Sequence, residues 1–135
     1  MDINSIKPIG TSIDIKHPAS GLDIGLALDL VSMKDDRVKE IQRKWTNKAL
    51  RNARKNKAFS AEEIEERTSD LLVAAVTGWS WSKGADGKVA SFKGQTPEHS
   101  ASIVREVFMA LPWIADQVDE ALGDTSNFFE DPAKS

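Results

Sequence analysis

The sequence has 135 residues, a formal net charge of −3 and no cysteine. This length predicts one domain, and the absence of cysteine excludes a disulfide framework, cysteine-bound metal and a thiol nucleophile. The mildly acidic balance gives no overall attraction to nucleic acid or anionic lipid. No stretch reaches the roughly 18 consecutive apolar residues that span a membrane. The first ten residues also lack the basic and apolar regions of a secretory signal.

A lead-in over residues 1–11, which we expect to be extended and flexible, precedes a predicted β-hairpin over residues 12–31. Apolar and polar residues alternate on both sides of a short turn, in which Pro18 and Gly21 favour the required backbone angles. Because an isolated hairpin is marginally stable in water, its apolar face must pack on helices or on a neighbouring chain.

Residues 33–123 predict about four α-helices. The first follows Ser32 as its cap and is strongly basic with a narrow apolar stripe. The second opens on a capping box of Ser60 and Glu63, and its apolar face, continued to Trp79, predicts the central core helix. A short hairpin between the segments "WSW" and "VASF" is an alternative at the end of this helix.

The third and fourth predicted helices are set by proline and glycine. Thr96 followed by Pro97 predicts a capped start, Pro112 ends that helix and begins the next, and Gly123 stops the fourth. Residues 124–135 form a polar tail. The chain as a whole, residues 1–135, is therefore predicted to be a single α+β domain: an N-terminal β-hairpin followed by helices.

Charge is distributed unevenly along the chain. Residues 34–57 hold ten cations against three carboxylates, whereas residues 116–131 hold six carboxylates and no cation. The simplest interpretation is a solvated helix face with acidic helix ends. A sharper one is self-association, in which the basic face of one subunit meets the acidic end of another. A nucleic-acid surface is a third interpretation, but no DNA- or RNA-binding motif accompanies the basic helix.

The sequence offers no catalytic constellation. His17 lies in the hairpin turn and His99 near a helix start, and neither has a partner at metal-ligand spacing. The glycine-bearing loop after Trp81 matches neither nucleotide-binding pattern. Paired carboxylates sit in first helical turns, where the helix dipole explains them. We therefore predict a protein without enzymatic activity, cofactor or metal.

The aromatic residues are the remaining candidates for a site. Trp45 and Trp113 fit core packing. Trp81, at an element end beside a loop, is typical of an interface anchor. Phe128 and Phe129 interrupt the acidic tail, so they either fold back on the core or dock on a partner.

The order of motifs from about Thr11 to Phe129 resembles the tail assembly chaperones of long-tailed bacteriophages. In that family an apolar helix that ends in a "W-x-G"-like motif is followed by a loop, an aromatic residue, a helix ending in proline, a short helix and a closing Asn-Phe. The matching residues here are Trp79, Phe92, Pro112, Ile114, Gln117, Val118, Leu122, Asn127 and Phe128.

This resemblance implies a protein that binds the phage tape-measure protein, keeps it soluble and helps to recruit tail-tube subunits. It also implies residence in the host cytoplasm, absence from the mature virion, and association of several copies. In many such phages a ribosomal frameshift near the end of the gene adds a second domain, which places the frameshift here near the codons of Ala133–Ser135. The longer form would contact the tail tube.

A chaperone of this kind needs apolar anchors and a means of arraying its copies. The candidate protein-contact residues are Trp81, Phe92, Phe128, Phe129, Arg43, Lys44, Arg51 and Arg54. The alternative function is a structural minor tail or head–tail connector protein that is retained in the virion.

Overall fold

A computed structural model describes residues 1–131. Within this range the chain forms a three-stranded antiparallel sheet and four α-helices, which confirms the predicted α+β class. The last four residues of the predicted tail lie outside the described residues. The elements are a 3₁₀ helix Ile3–Ser5, β1 Thr11–Lys16, β2 Asp23–Leu30, α1 Asp36–Arg54, α2 Ala61–Ala75, β3 Val76–Trp81, α3 Ala101–Ala110, α4 Pro112–Gly123 and a 3₁₀ helix Thr125–Phe128.

The predicted hairpin forms the first two strands of the sheet. Ile13 pairs with Leu28, and Leu28 pairs on its other side with Trp79 of β3, so the strand order is β1-β2-β3. Because side chains alternate across a strand, these three residues share one face with the buried Leu26 and Leu30. That face forms the floor of the hydrophobic core, against which the helices pack.

The prediction that the central helix continues to Trp79 is wrong. Helix α2 ends at Ala75, and the next six residues form β3, which pairs with β2. The alternative hairpin is reduced to an isolated bridge between Lys83, shortly after "WSW", and Val89 of "VASF". β-Branched Val76 and Thr77 favour a strand, and the two-stranded hairpin gains a third strand to cover its open edge. An apolar run of this length does not reveal by periodicity whether it is helix or buried strand.

Two helices begin later in the chain than predicted. Asp35, not Ser32, caps α1, because its side chain accepts a hydrogen bond from Arg37 N at 3.0 Å. Ser100, not Thr96, caps α3, through Ile103 N at 3.3 Å. The capping box at the start of α2 and the limits of α4, which begins at Pro112 and ends at Gly123, are confirmed.

Helix α4 covers the outer edge of β1 at the last residue of the strand. The side-chain amide of Gln117 accepts a hydrogen bond from Lys16 N and donates one to Lys16 O, both at 2.8 Å. An amide that pairs with both main-chain groups of one residue takes the place of a neighbouring strand at that residue. Gln117, one of the residues behind the family resemblance, therefore has a structural role.

Helices α1 and α2 form an antiparallel pair that extends beyond the core. Only the start of α1, at Val38, and the end of α2 join the main hydrophobic cluster. Farther out, Trp45 packs edge-on against Phe59, with ring centroids 5.5 Å apart, and Lys48 pairs with Glu63 at 3.0 Å. The Lys48 ammonium lowers the pKa of the Glu63 carboxyl, helped by the Ser60 amide. We call residues 46–69 the helical arm.

Candidate functional site

Trp79 and Trp81 form one aromatic cluster with the segment before α3. Both indole Nε1 groups donate to Pro97 O, at 2.9 and 3.2 Å, and the rings meet edge-on with centroids 5.3 Å apart. Both side chains are half-buried. Trp81 therefore fastens the segment around Pro97 to the sheet, so its indole is committed within the chain rather than presented as a free anchor.

The loop between Trp81 and Pro97 is held close to β2. Gly25 has φ of +98°, and a Cβ there would overlap Ser82 O and Gly84 N. Glycine is needed because no other residue allows the loop backbone this close. The bond from Ser82 N to Gly25 O, at 2.7 Å, fixes the approach. Phe92 is half-buried against the core, with the Lys93 ammonium 5.4 Å from its ring centroid.

The two phenylalanines of the tail have different surroundings. Phe128 is 2 % exposed and belongs to the core cluster, so it folds back onto the core and does not offer its ring to a partner, contrary to its prediction as a contact residue. The 3₁₀ helix Thr125–Phe128 returns the chain to the core, and Asn127 Nδ2 secures it to Ala121 O at 3.0 Å. Phe129 is half-buried and keeps one side open.

The N-terminal segment and Phe129 together enclose an apolar cleft. Its volume is about 440 Å³, and it is lined by Met1, Ser5, Ile6, Lys7, Ile9, Phe129 and Glu130. The bond from Ile9 N to Phe128 O, at 2.7 Å, holds one wall in place. Of the nine large apolar side chains exposed within residues 1–131, four lie in the first nine residues. The sequence analysis predicted only a flexible lead-in here and did not identify this concentration of exposed apolar side chains. The isoleucines at every third position are the pattern that could have indicated it.

The four basic candidates share the outer face of α1. Arg43, Lys44, Arg51 and Arg54 are all exposed, on the side of the helix away from Trp45. None of them has an ion-pair partner among residues 1–131. We call this surface the basic face; its last two arginines also lie at the C-terminal end of α1, where the helix dipole favours cations.

An acidic face lies on α4. Asp116, Asp119 and Glu120 are exposed on the side of the helix away from the buried Ile114 and Val118. Among the described residues these three carboxylates have no cationic partner either. The structure thus holds two unneutralised faces of opposite sign on different helices.

The histidines make structural bonds. His17 Nδ1 accepts from Ala19 N at 3.1 Å and Ser20 N at 3.3 Å, which orders the hairpin turn. His99 Nε2 donates to Val76 O at 3.0 Å, since a carbonyl oxygen can only accept. Within residues 1–131 no three His, Asp or Glu side chains are grouped to hold a metal ion. The same range contains no helix with the length and apolar character needed to cross a membrane.

The fold and these surfaces define an α+β domain with an aromatic cluster on its sheet, an apolar N-terminal cleft and two charged faces. Comparison of the chain with protein-family models, with curated proteins and with solved structures finds no match.

Proposed function

We propose that the chain is a tail assembly chaperone of a long-tailed bacteriophage, which binds the tape-measure protein, keeps it soluble and helps to recruit tail-tube subunits. The proposal includes residence in the host cytoplasm, absence from the mature virion, and a longer frameshifted form that contacts the tail tube. The motif order from Thr11 to Phe129 is its starting point.

The observation that supports it best is the pair of unneutralised charged faces. Among residues 1–131 the four exposed cations of the basic face and the three exposed carboxylates of the acidic face have no ion-pair partner. Because the basic face lies on α1 and the acidic face on α4, one copy can meet the next head to tail, with both faces used in every copy. A chaperone for a long client needs such an array, whereas it needs no reactive group.

Self-association is expected to depend on salt and on the basic face. Light scattering should give a mass well above 14.8 kDa at about 20 mM salt and a lower mass at about 0.5 M, because screening shortens the range of charge interactions. The double variant Arg43→Glu with Lys44→Glu should remain monomeric at both salt concentrations.

A matched control separates the basic face from net charge. Lys83→Glu with Lys88→Glu changes the charge equally at two exposed loop positions, and it should associate as the unmodified chain does. A monomer at all salt concentrations, or equal loss of association in both double variants, would contradict the array.

The client is tested by co-expression with the tape-measure protein of the same phage. We expect this protein to be insoluble alone and to co-purify with the chain when both are made together. Mass spectrometry of purified particles should detect no stoichiometric amount of the chain. Stoichiometric retention in particles would instead support the structural tail or connector protein.

A further inference from the structure

We infer that the outer side of α1 binds the phosphate backbone of a nucleic acid without reading its base sequence. This partner lies outside the proposed function, in which a second copy of the chain meets the basic face. Three features of α1 point to it: a row of unpaired cations, a groove lined by hydrogen-bond donors, and the length over which both extend.

The row of cations is uninterrupted by carboxylates. From Ile41 to Ala61 the sequence contains seven cations and no carboxylate. Of the seven, Lys48 pairs with Glu63 of α2. The others are exposed and have no ion-pair partner within residues 1–131; they are Arg43, Lys44, Arg51, Arg54, Lys55 and Lys57. We call these six side chains the cation track. Clusters of this kind along a helix are typical of surfaces that contact phosphates.

The carboxylates nearby do not cancel this charge. Residues 36–69, which comprise α1 and the outer part of α2, hold ten cations and six carboxylates, a net charge of +4. Asp36 and Glu40 lie in the first two turns of α1, before the track begins, and the other four lie on α2. Because the whole chain has a net charge of −3, the remaining residues hold −7. A protein polarised in this way approaches a polyanion with its positive helix first.

The outermost cations lie on the far side of α1 from the carboxylates of α2. Helix α1 faces α2 through Trp45, whose indole donates to Asp70. At about 100° per residue, Arg43 and Arg54 lie about 160° and 180° around the helix from Trp45. The axes of packed helices are about 8–10 Å apart, and the radius of α1 adds to this distance. These guanidinium groups are therefore more than a Debye length, about 8 Å, from the carboxylates of α2.

A shallow groove on α1 continues the cation track toward the start of the helix. Its volume is about 500 Å³, and it is lined by Lys39, Gln42, Arg43, Thr46 and Asn47. Every one of these side chains carries a hydrogen-bond donor, and none is a carboxylate. A guanidinium can also donate two parallel bonds to one phosphate group. The groove thus presents the donors that phosphate oxygens accept from.

The length of the groove and track favours a nucleic acid over an acidic protein face. Lys39 and Arg54 are separated by about 22 Å along the helix axis. The acidic face of α4, from Asp116 to Glu120, extends over about 6 Å and matches less than a third of that length. A nucleic-acid strand carries a charge about every 3.4 Å and meets the row from end to end. Because Arg43 serves both contacts, a nucleic acid and a neighbouring copy compete for it.

A membrane surface fits α1 less well. Helices that lie on membranes combine a cationic side with a broad apolar side that enters the lipid. Within the described chain, Leu50 is the one large apolar side chain of α1 that is exposed. Helix α1 can therefore attract anionic lipid by charge, but it lacks an apolar side to insert.

Binding is measured by the fluorescence anisotropy of labelled DNA duplexes of about 20 base pairs in two unrelated sequences. We expect affinities within about threefold of each other, because phosphate contacts carry no sequence information. The logarithm of the association constant should fall with the logarithm of salt concentration with a slope of about −4, since each contacted phosphate contributes about −0.9.

The variant Arg51→Glu with Arg54→Glu should weaken duplex binding about tenfold or more and make the salt slope less steep by about 2, since two phosphate contacts are lost. Its control is Lys83→Glu with Lys88→Glu, which changes the net charge equally at exposed loop positions. The control should weaken binding less than about twofold, because its charges lie away from the track and are screened. Circular dichroism should show the same helix content in all three proteins.

Self-association is separated from nucleic-acid binding by the acidic face. Asp119→Lys with Glu120→Lys should abolish self-association and bind the duplex no more weakly than the unmodified chain. A chain that stays monomeric and binds the duplex contradicts only the array. A chain that associates and does not bind the duplex contradicts only the nucleic-acid partner.

Three further results would overturn the inference. The first is equal loss of duplex binding in the variant and its loop control. The second is an affinity that does not change with salt. The third is binding of polyglutamate, or of vesicles containing phosphatidylserine, as tightly as the duplex, which would identify an acidic protein or a membrane as the partner.

Discussion

Replacing Asp70 with alanine is expected to lower the free energy of unfolding by about 2–4 kcal/mol. Asp70 Oδ2 accepts the indole N–H of Trp45 at 2.9 Å, while Oδ1 pairs with the Arg105 guanidinium. The Asp70 side chain is only 12 % exposed, so it joins α1, α2 and α3 where water competes weakly. Its loss leaves the indole and the guanidinium without their acceptor, and urea unfolding followed by tryptophan fluorescence measures the change.

The partly exposed Arg105 keeps the estimate below the cost of breaking a fully buried pair. Glu106→Ala is the control, because it breaks the exposed Lys93–Glu106 pair and should cost less than about 1 kcal/mol. Asp70→Asn should fall between the two, since an amide oxygen can still accept from Trp45. Equal costs for Asp70→Ala and Glu106→Ala would show that the three-helix junction does not depend on this carboxylate.

Local sequence rules predict those helix ends that are determined by neighbouring residues. The capping box at Ser60, Pro112 at a helix start and Gly123 at a helix end each depend on neighbouring residues only, and all three are confirmed. The alternation of β1 and β2 is likewise local. The strand β3 depends on pairing with residues about fifty positions earlier, so an apolar run ending in Trp79 did not distinguish strand from helix.

The candidate surfaces divide in the same way. The exposure of the basic face follows from the helical spacing of Arg43, Lys44, Arg51 and Arg54 opposite a narrow apolar stripe. The junction at Asp70 and the two hydrogen bonds from the tryptophans to Pro97 O depend on which elements meet in the fold. Spacing along the chain does not contain that information. The N-terminal cleft likewise requires the tail to return beside Ile9, through a contact between opposite ends of the described chain.

The position of Phe128 decides whether the C-terminal segment packs on the core or remains exposed for a partner. Its ring is buried in the main cluster, and its carbonyl accepts the Ile9 N–H, so it supports the C-terminal turn and one wall of the cleft. Phe129, the next residue, lines the cleft with a half-buried ring. Adjacent residues of the same type therefore differ in their surroundings: Phe128 is buried in the core, and Phe129 keeps part of its ring exposed.

Phe128→Ala should lower the free energy of unfolding by about 3–5 kcal/mol, because removing a buried aromatic ring leaves a cavity that the surroundings only partly fill. Phe129→Ala should cost only about 1 kcal/mol, because its ring is half-buried. Urea unfolding of both variants measures the difference. A Phe128→Ala variant that unfolds like the unmodified chain would contradict the fold-back of the tail, and with it the wall that holds Ile9 beside the cleft.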